Sequence, residues 1–111
     1  MMDSYSIIIT PDAEADLVEI SNYIANDLMA PETALRYVHD VRNEIAKLEY
    51  RAPSFKVIDD EPFHSMRIRK IMANNFFVYF WIDEPSRIVY ILNVIYKRRD
   101  QLKALSKQII N

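Results

Sequence analysis

The spacing of apolar residues along this chain changes between its first and second halves. A short β-rich run at residues 5–9 precedes a helical stripe that consists of Ala13, Leu17, Ile20, Ile24 and Leu28. Thr10 and Pro11 suit the N-cap and the first position of that helix. A second helical stripe follows Pro31 and consists of Ala34, Val38, Val41, Ile45 and Leu48. The pattern predicts a strand and then a hairpin of two amphipathic helices that ends near residue 50.

The second half has the spacing of strands. Residues 65–72 alternate between polar and apolar side chains, which predicts a strand with Arg67 and Arg69 on one face. Two more strands are expected over residues 75–82 and 87–96, and a short terminal helix over residues 99–110. The order β-α-α-β-β-β-α predicts an α+β fold, with the helical hairpin packed on a mostly antiparallel four-stranded sheet.

Composition adds limits to this prediction. The 111 residues are 50% hydrophobic and 27% charged, without glycine or a low-complexity linker, so we predict one domain over residues 1–111. The absence of cysteine excludes disulfides and fits a reducing compartment. The first ten residues do not resemble a signal peptide, and no apolar run is long enough to span a bilayer. We therefore expect a cytoplasmic protein that has no membrane partner.

The net charge of −2 conceals a difference between the halves. Residues 1–63 hold 5 basic and 13 acidic residues, a balance of −8, whereas residues 64–111 hold 9 basic and 3 acidic residues, a balance of +6. This asymmetry indicates an anionic partner for the basic half. Attraction between the two halves within one fold would explain the same numbers, so charge alone leaves both interpretations open.

The order of the elements and several local strings resemble the RelE/ParE superfamily of bacterial type II toxins. The strings are TPDAEADLVEISNYI, ALRYVHDVRNEIAKLEYRAPSF, MRIRKI, NFFVYFWIDE and VYILNVIYKRRDQL, which together cover nearly the whole chain. The resemblance implies a RelE-like fold and a toxin that a cognate antitoxin holds inactive. The expected antitoxin is an acidic, partly disordered segment that folds on the toxin. Relatives differ in their targets, because some cut messenger RNA on the ribosome and others inhibit DNA gyrase.

Cleavage of RNA without a metal ion needs cations around the phosphoryl oxygens and groups that transfer protons. Guanidinium groups suit the first task because they stay charged and can bind two oxygens at once. The residues predicted to act in catalysis are Arg67, Arg69, Arg98 and Tyr96. Those predicted to bind the substrate are Lys70, Lys97, Arg99 and His64.

Plain structural explanations exist for the cationic candidates. Arg67 and Arg69 could form a solvated strand surface or ion pairs with helical carboxylates. The cations at residues 97–99 could begin the terminal helix or pair with Asp100, although cations at a helix N-terminus oppose the helix dipole. Both the functional and the structural interpretations stay open at this point.

The other candidates are also ambiguous. Tyr96 could stack on a base or donate a proton, or it could close the core with its hydroxyl at the rim. His64 could act as an acid or base, or it could be a solvated loop residue. The aromatic series in residues 76–81 favours packing of a central strand over stacking on nucleic acid.

The leading hypothesis is a toxin that acts as a metal-independent, ribosome-associated endoribonuclease on messenger RNA. The alternative is a non-enzymatic inhibitor of DNA gyrase, because many relatives that cut RNA carry an arginine where this chain has Phe77. A third possibility is a non-toxic remnant or a regulatory binding module. No cofactor or metal is expected, since the sequence holds neither ligands at metal spacing nor a glycine-rich phosphate loop.

Overall fold

The computed structural model describes residues 4–109, with the side chains of residues 4–106. Its strands are β1 (Ser6–Ile9), β2 (Arg69–Ala73), β3 (Phe76–Asp83) and β4 (Ile88–Tyr96). Its α-helices are α1 (Pro11–Asn22), α2 (Pro31–Ala46), the short α3 (Leu48–Arg51) and α4 (Gln101–Ile109), with a π-helical turn at Tyr23–Asp27 and a 3₁₀ turn at Ala52–Ser54. The predicted α+β fold is confirmed. None of the helices in the described residues is long and apolar enough to cross a membrane.

The helical hairpin begins at a side-chain cap. Thr10 Oγ1 accepts a hydrogen bond from Ala13 N at 3.3 Å and donates one to the Ile91 carbonyl at 2.7 Å, so the cap also joins α1 to β4. The predicted stripe fails at Leu28, which is 56% exposed. The cause is the π-helical turn after α1, because its wider turns shift the phase of the following side chains.

The sheet has the order β1-β4-β3-β2, with β1 parallel to β4 and the other pairs antiparallel. β1 pairs with β4 only as far as Ile9 and Ile91, since the chain then turns into α1. The register between β3 and β4 shifts by one residue at Leu92, between the pairs Tyr79–Asn93 and Phe80–Ile91. Beyond Ile91, one edge of β4 still pairs with β3, whereas the edge that β1 has left is contacted by α1.

Each face of the sheet carries its own buried cluster. We call the side covered by α1 and α2 the hairpin face, and its buried strand residues are Ile71, Ala73, Phe76, Val78, Phe80, Val89, Ile91 and Val94. We call the other side the α4 face, where Tyr79 and Ile95 pack with Phe63, Ile68, Ala104 and Leu105. Full burial of such large apolar side chains stabilises the fold by roughly 1.5–3 kcal/mol each. Burial on both faces explains why β3 lacks alternation.

The strand predicted over residues 65–72 is wrong at its beginning, because β2 starts at Arg69. The preceding residues form turns in which Arg67 N donates to the His64 carbonyl at 2.9 Å, and Arg67 has a φ of 60°. Ile68 is buried on the α4 face, and its N–H donates to the Phe63 carbonyl at 3.0 Å. A turn with one buried residue thus gave the same alternation of polar and apolar residues as a strand. Arg67 does not share a strand face with Arg69.

Candidate functional site

A cationic turn follows β4 directly and consists of Lys97, Arg98 and Arg99. Lys97 N donates to the Asn75 carbonyl at 2.8 Å, and Arg99 N donates to the Tyr96 carbonyl at 3.0 Å. All three side chains are exposed, and no carboxylate among the described side chains forms an ion pair with any of them. The turn therefore presents three adjacent cations to solvent with their charge available for a partner.

The side chain of Gln101, the first residue of α4, holds this turn against the sheet. Gln101 Nε2 donates to the carbonyls of Tyr96 at 2.6 Å and Arg99 at 3.0 Å. Gln101 Oε1 accepts from the Tyr79 hydroxyl at 3.0 Å. Burial beneath α4, with a smaller contribution from the Asp60 carboxylate, raises the pKa of Tyr79 to about 12. Tyr79 therefore stays protonated at neutral pH, and its hydroxyl donates a hydrogen bond to Gln101.

Beside the turn, α1 and the end of β4 enclose a groove of about 420 Å³, which we call the β4 groove. Tyr96 and Phe76 form part of its lining, with ring centres 5.6 Å apart, and Arg99 lies at the same groove. On the α1 side, Asp16 Oδ2 accepts from Val94 N at 2.8 Å, where β1 no longer covers β4. The groove thus combines aromatic side chains and one cation from the turn with the carboxylates of Asp16 and Glu19 on α1.

The structure brings together only part of the predicted site. Tyr96, Arg98 and Arg99 are neighbours, but Arg69 pairs with Phe80, four register positions from the pairs that align with Tyr96. That separation corresponds to about 13 Å along the strands and about 10 Å across them. Arg69 also lies on the hairpin face, and its Nε is buried without a hydrogen-bond partner in the described structure.

The remaining candidates lie elsewhere. Lys70 is on the α4 face, where its Nζ is 4.4 Å from the centre of the Phe77 ring, a cation–π contact. Arg67 and His64 are exposed in the turns before β2, and His64 Nδ1 lies 2.9 Å from the Ile58 carbonyl. The four candidate catalytic residues therefore do not form one constellation.

Sequence reasoning favoured core packing for Tyr79 and did not single out Gln101. Tyr79 could be assigned to the same face of β3 as Phe77 from strand alternation, but alternation does not reveal the partner of its hydroxyl. Gln101 follows the cationic run and has no periodic signal of its own. Its role depends on contacts between a side chain and backbone carbonyls, which single-sequence patterns do not encode.

Residues 7–101 match the protein-family model of the ParE toxin of the parDE type II toxin–antitoxin system. The chain belongs to the ParE toxin family. The match extends to Gln101 and so includes the cationic turn. The resemblance to the RelE/ParE superfamily is thereby confirmed, and the protein is the toxin component of a type II toxin–antitoxin system.

Two solved structures have the same fold as this ParE-family chain. A chromosomal ParDE toxin–antitoxin system from P. aeruginosa matches with a TM-score of 0.70 at 21% identity, covering 85% of this chain and 97% of that one. The RelBE2 toxin–antitoxin complex from Mycobacterium tuberculosis matches with a TM-score of 0.57 at 15% identity, covering 84% and 98%. No curated protein matches the sequence closely enough to serve as a relative.

Proposed function

We propose that this ParE-family toxin inhibits DNA gyrase by binding to it, without catalysing a reaction, and that the cationic turn supplies the main contact. The observation that carries the proposal is the state of Lys97, Arg98 and Arg99, which are adjacent, exposed and without an ion pair in the described part of the chain. A fixed group of cations can attract and orient an acidic surface without any proton transfer. Membership of the ParE family supports the same proposal.

The arrangement of the other candidates favours inhibition over cleavage of messenger RNA. An endoribonuclease needs its acid, its base and its phosphate-binding cations within hydrogen-bond reach of one phosphodiester. Here Arg69 is displaced from Tyr96 by four register positions, and Tyr96 packs on Phe76. Phe77 holds Lys70 above its ring at the position where an arginine is common in relatives that cut RNA.

We propose the β4 groove as a docking site for the antitoxin. The antitoxin would be a partly disordered, acidic segment, whose apolar residues cover the exposed Tyr96 and Leu28 while a carboxylate pairs with Arg99. Binding there would cover one end of the cationic turn. This explains how the antitoxin could neutralise the toxin without reaching the whole sheet.

The proposal is tested with the purified protein and two substrates. We expect it to block supercoiling of relaxed plasmid by DNA gyrase and to leave ribosome-bound messenger RNA intact, as read by primer extension. Unimpaired supercoiling at saturating protein would refute the proposal. New cleavage sites in the RNA under those conditions would instead support the endoribonuclease hypothesis.

A further inference from the structure

We infer that Gln101 is a positioning residue that fixes the cationic turn to the sheet, and that toxicity depends on this fixation. The inference rests on the proposed use of the turn as the contact surface. It assigns no chemistry to Gln101 itself, which acts through the cations at residues 97–99.

The contacts of Gln101 join three parts of the molecule. Its Oε1 accepts from Tyr79 on β3, while its Nε2 donates to the last carbonyl of β4 at Tyr96 and to the carbonyl of Arg99. The three distances are 3.0, 2.6 and 3.0 Å, so the bond to the Tyr96 carbonyl is short and the other two are of normal length. One amide thus connects the sheet with both ends of the turn.

The anchor on the sheet is well defined. Tyr79 is 2% exposed and lies beneath α4, where Ala104 and Leu105 are buried in the same cluster. Because the ring cannot move without disturbing that cluster, its hydroxyl is a fixed donor. Gln101 therefore transmits the position of the packed α4 face to an exposed segment.

The turn has a physical need for such an anchor. Three adjacent like charges repel one another, and their long side chains are exposed. Two backbone hydrogen bonds, from Lys97 N and Arg99 N, also hold the segment. Without the bonds of Gln101 it would sample more backbone conformations, and binding would have to remove that entropy. A turn that is already fixed presents its cations in one arrangement, so its affinity for a matching acidic surface is higher.

The variants Tyr79→Phe and Gln101→Ala remove the anchor in steps. Tyr79→Phe deletes only the bond to the sheet, while Gln101→Ala deletes all three bonds. Leu102→Ala is the matched control, because Leu102 is on the same helix and 42% exposed. Toxicity is measured by the inducer concentration that halves growth, which is higher for a less toxic variant. We expect this concentration to rise severalfold for Tyr79→Phe and about tenfold or more for Gln101→Ala, and to stay unchanged for the control.

A double-mutant cycle with Arg98→Ala separates positioning from simple loss of stability. If Gln101 positions Arg98, Arg98→Ala should reduce toxicity much less in the Gln101→Ala background than in the wild-type background. Independent, additive effects would overturn the inference. Hydrogen exchange of the Lys97 and Arg99 amides, which donate to the Asn75 and Tyr96 carbonyls, should accelerate about tenfold or more in Gln101→Ala, and unchanged exchange would also overturn the inference.

These readouts do not depend on the identity of the target. If the wild-type toxin arrests growth but fails to inhibit gyrase, the gyrase proposal falls, while the cycle and the exchange rates still decide the role of Gln101. If gyrase is inhibited and the cycle is additive, the positioning role is rejected and the proposed function stands. Circular dichroism and thermal unfolding of each variant confirm that the compared proteins are folded.

Discussion

At the scale of single residues, the cations of this protein differ in the partners that they have. Arg42 forms a bidentate contact with Glu14, with one N–O distance of 3.0 Å, and this hydrogen bond lowers the pKa of Glu14. Arg87 lies 3.9 Å above the Tyr5 ring and pairs with Glu84. Such cations support the fold and are not available for an external partner. Lys97, Arg98 and Arg99 of the cationic turn form no ion pair with any side chain that the structure describes.

A single substitution in the turn tests that distinction. Arg98→Ala should reduce inhibition of the target by roughly tenfold, the effect of losing one charge-assisted hydrogen bond. Arg67→Ala is the matched control, since Arg67 is also exposed but lies in the turns before β2. We expect the control to retain wild-type potency in a dose–response assay. Equal losses for the two variants would contradict a specific role for the turn.

The raised pKa of Tyr79 predicts a loss of stability at alkaline pH. The folded protein holds this proton more tightly than the unfolded chain, whose tyrosine pKa is near 10.0, so the stabilisation is complete below pH 10 and lost as pH rises toward 12. The loss should approach about 2 kcal/mol in the free energy of unfolding. Urea unfolding between pH 8 and pH 12 measures it, and Tyr79→Phe provides the reference that lacks this titration. Parallel pH profiles for the two proteins would refute the assignment.

At the scale of elements, the periodicity of apolar residues predicted the helices and strands that bury side chains at regular intervals. The helical hairpin and the strands β3 and β4 follow from the spacing of apolar residues over many positions, and the cap at Thr10 follows from the residue types of Thr10 and Pro11. The beginning of β2 did not, because Ile68 is buried by a turn that packs beneath α4. The prediction that Arg67 and Arg69 share one strand face was wrong for the same reason. Candidate sites that require side chains from several elements cannot be found from spacing within one element.

The docking of α4 is tested by two leucines of the same helix. Leu105 is fully buried on the α4 face, whereas Leu102 is 42% exposed. Leu105→Ala should lower the free energy of unfolding by about 2–5 kcal/mol, as expected for a buried leucine that leaves a cavity. Leu102→Ala should change it by less than about 0.5 kcal/mol. Similar values for the two variants, measured by urea denaturation, would be inconsistent with a docked α4.

The uncovered edge of β4 depends on Asp16. This carboxylate accepts from Val94 N at 2.8 Å and from Asn93 Nδ2 at 3.3 Å, where β1 has already left the sheet. Asp16→Ala should lower the free energy of unfolding by about 1–3 kcal/mol, because a buried backbone N–H and a buried side-chain amide lose their acceptor.

Two further variants make the role of Asp16 specific. Asp16→Asn keeps an oxygen acceptor and should cost less than Asp16→Ala. Asp27→Ala removes an exposed acid from the π-helical turn and should have little effect. Thermal unfolding ranks the three variants, and a loss for Asp27→Ala as large as that for Asp16→Ala would rule out a specific cap at β4.

At the scale of the whole molecule, part of the excess charge of the basic half is exposed at the cationic turn. The defined ion pairs each join residues of the same half; they are Arg42–Glu14, Lys47–Glu44, Lys56–Asp59 and Arg87–Glu84. These four pairs therefore do not support ion pairing between the acidic half and the basic half as the cause of the charge difference. The basic half instead contains an exposed cationic turn that a buried tyrosine and a glutamine hold in place. This arrangement favours an external acidic partner.

The most direct test of this account is a supercoiling assay with purified DNA gyrase. The wild-type toxin is compared with a variant in which Lys97, Arg98 and Arg99 are all alanine, and with a control in which Arg36, Arg51 and Arg67, exposed cations elsewhere in the described structure, are alanine. We predict that the wild type and the control inhibit supercoiling at similar concentrations, and that the turn variant needs at least about a hundredfold more protein. Full inhibition by the folded turn variant would contradict the account.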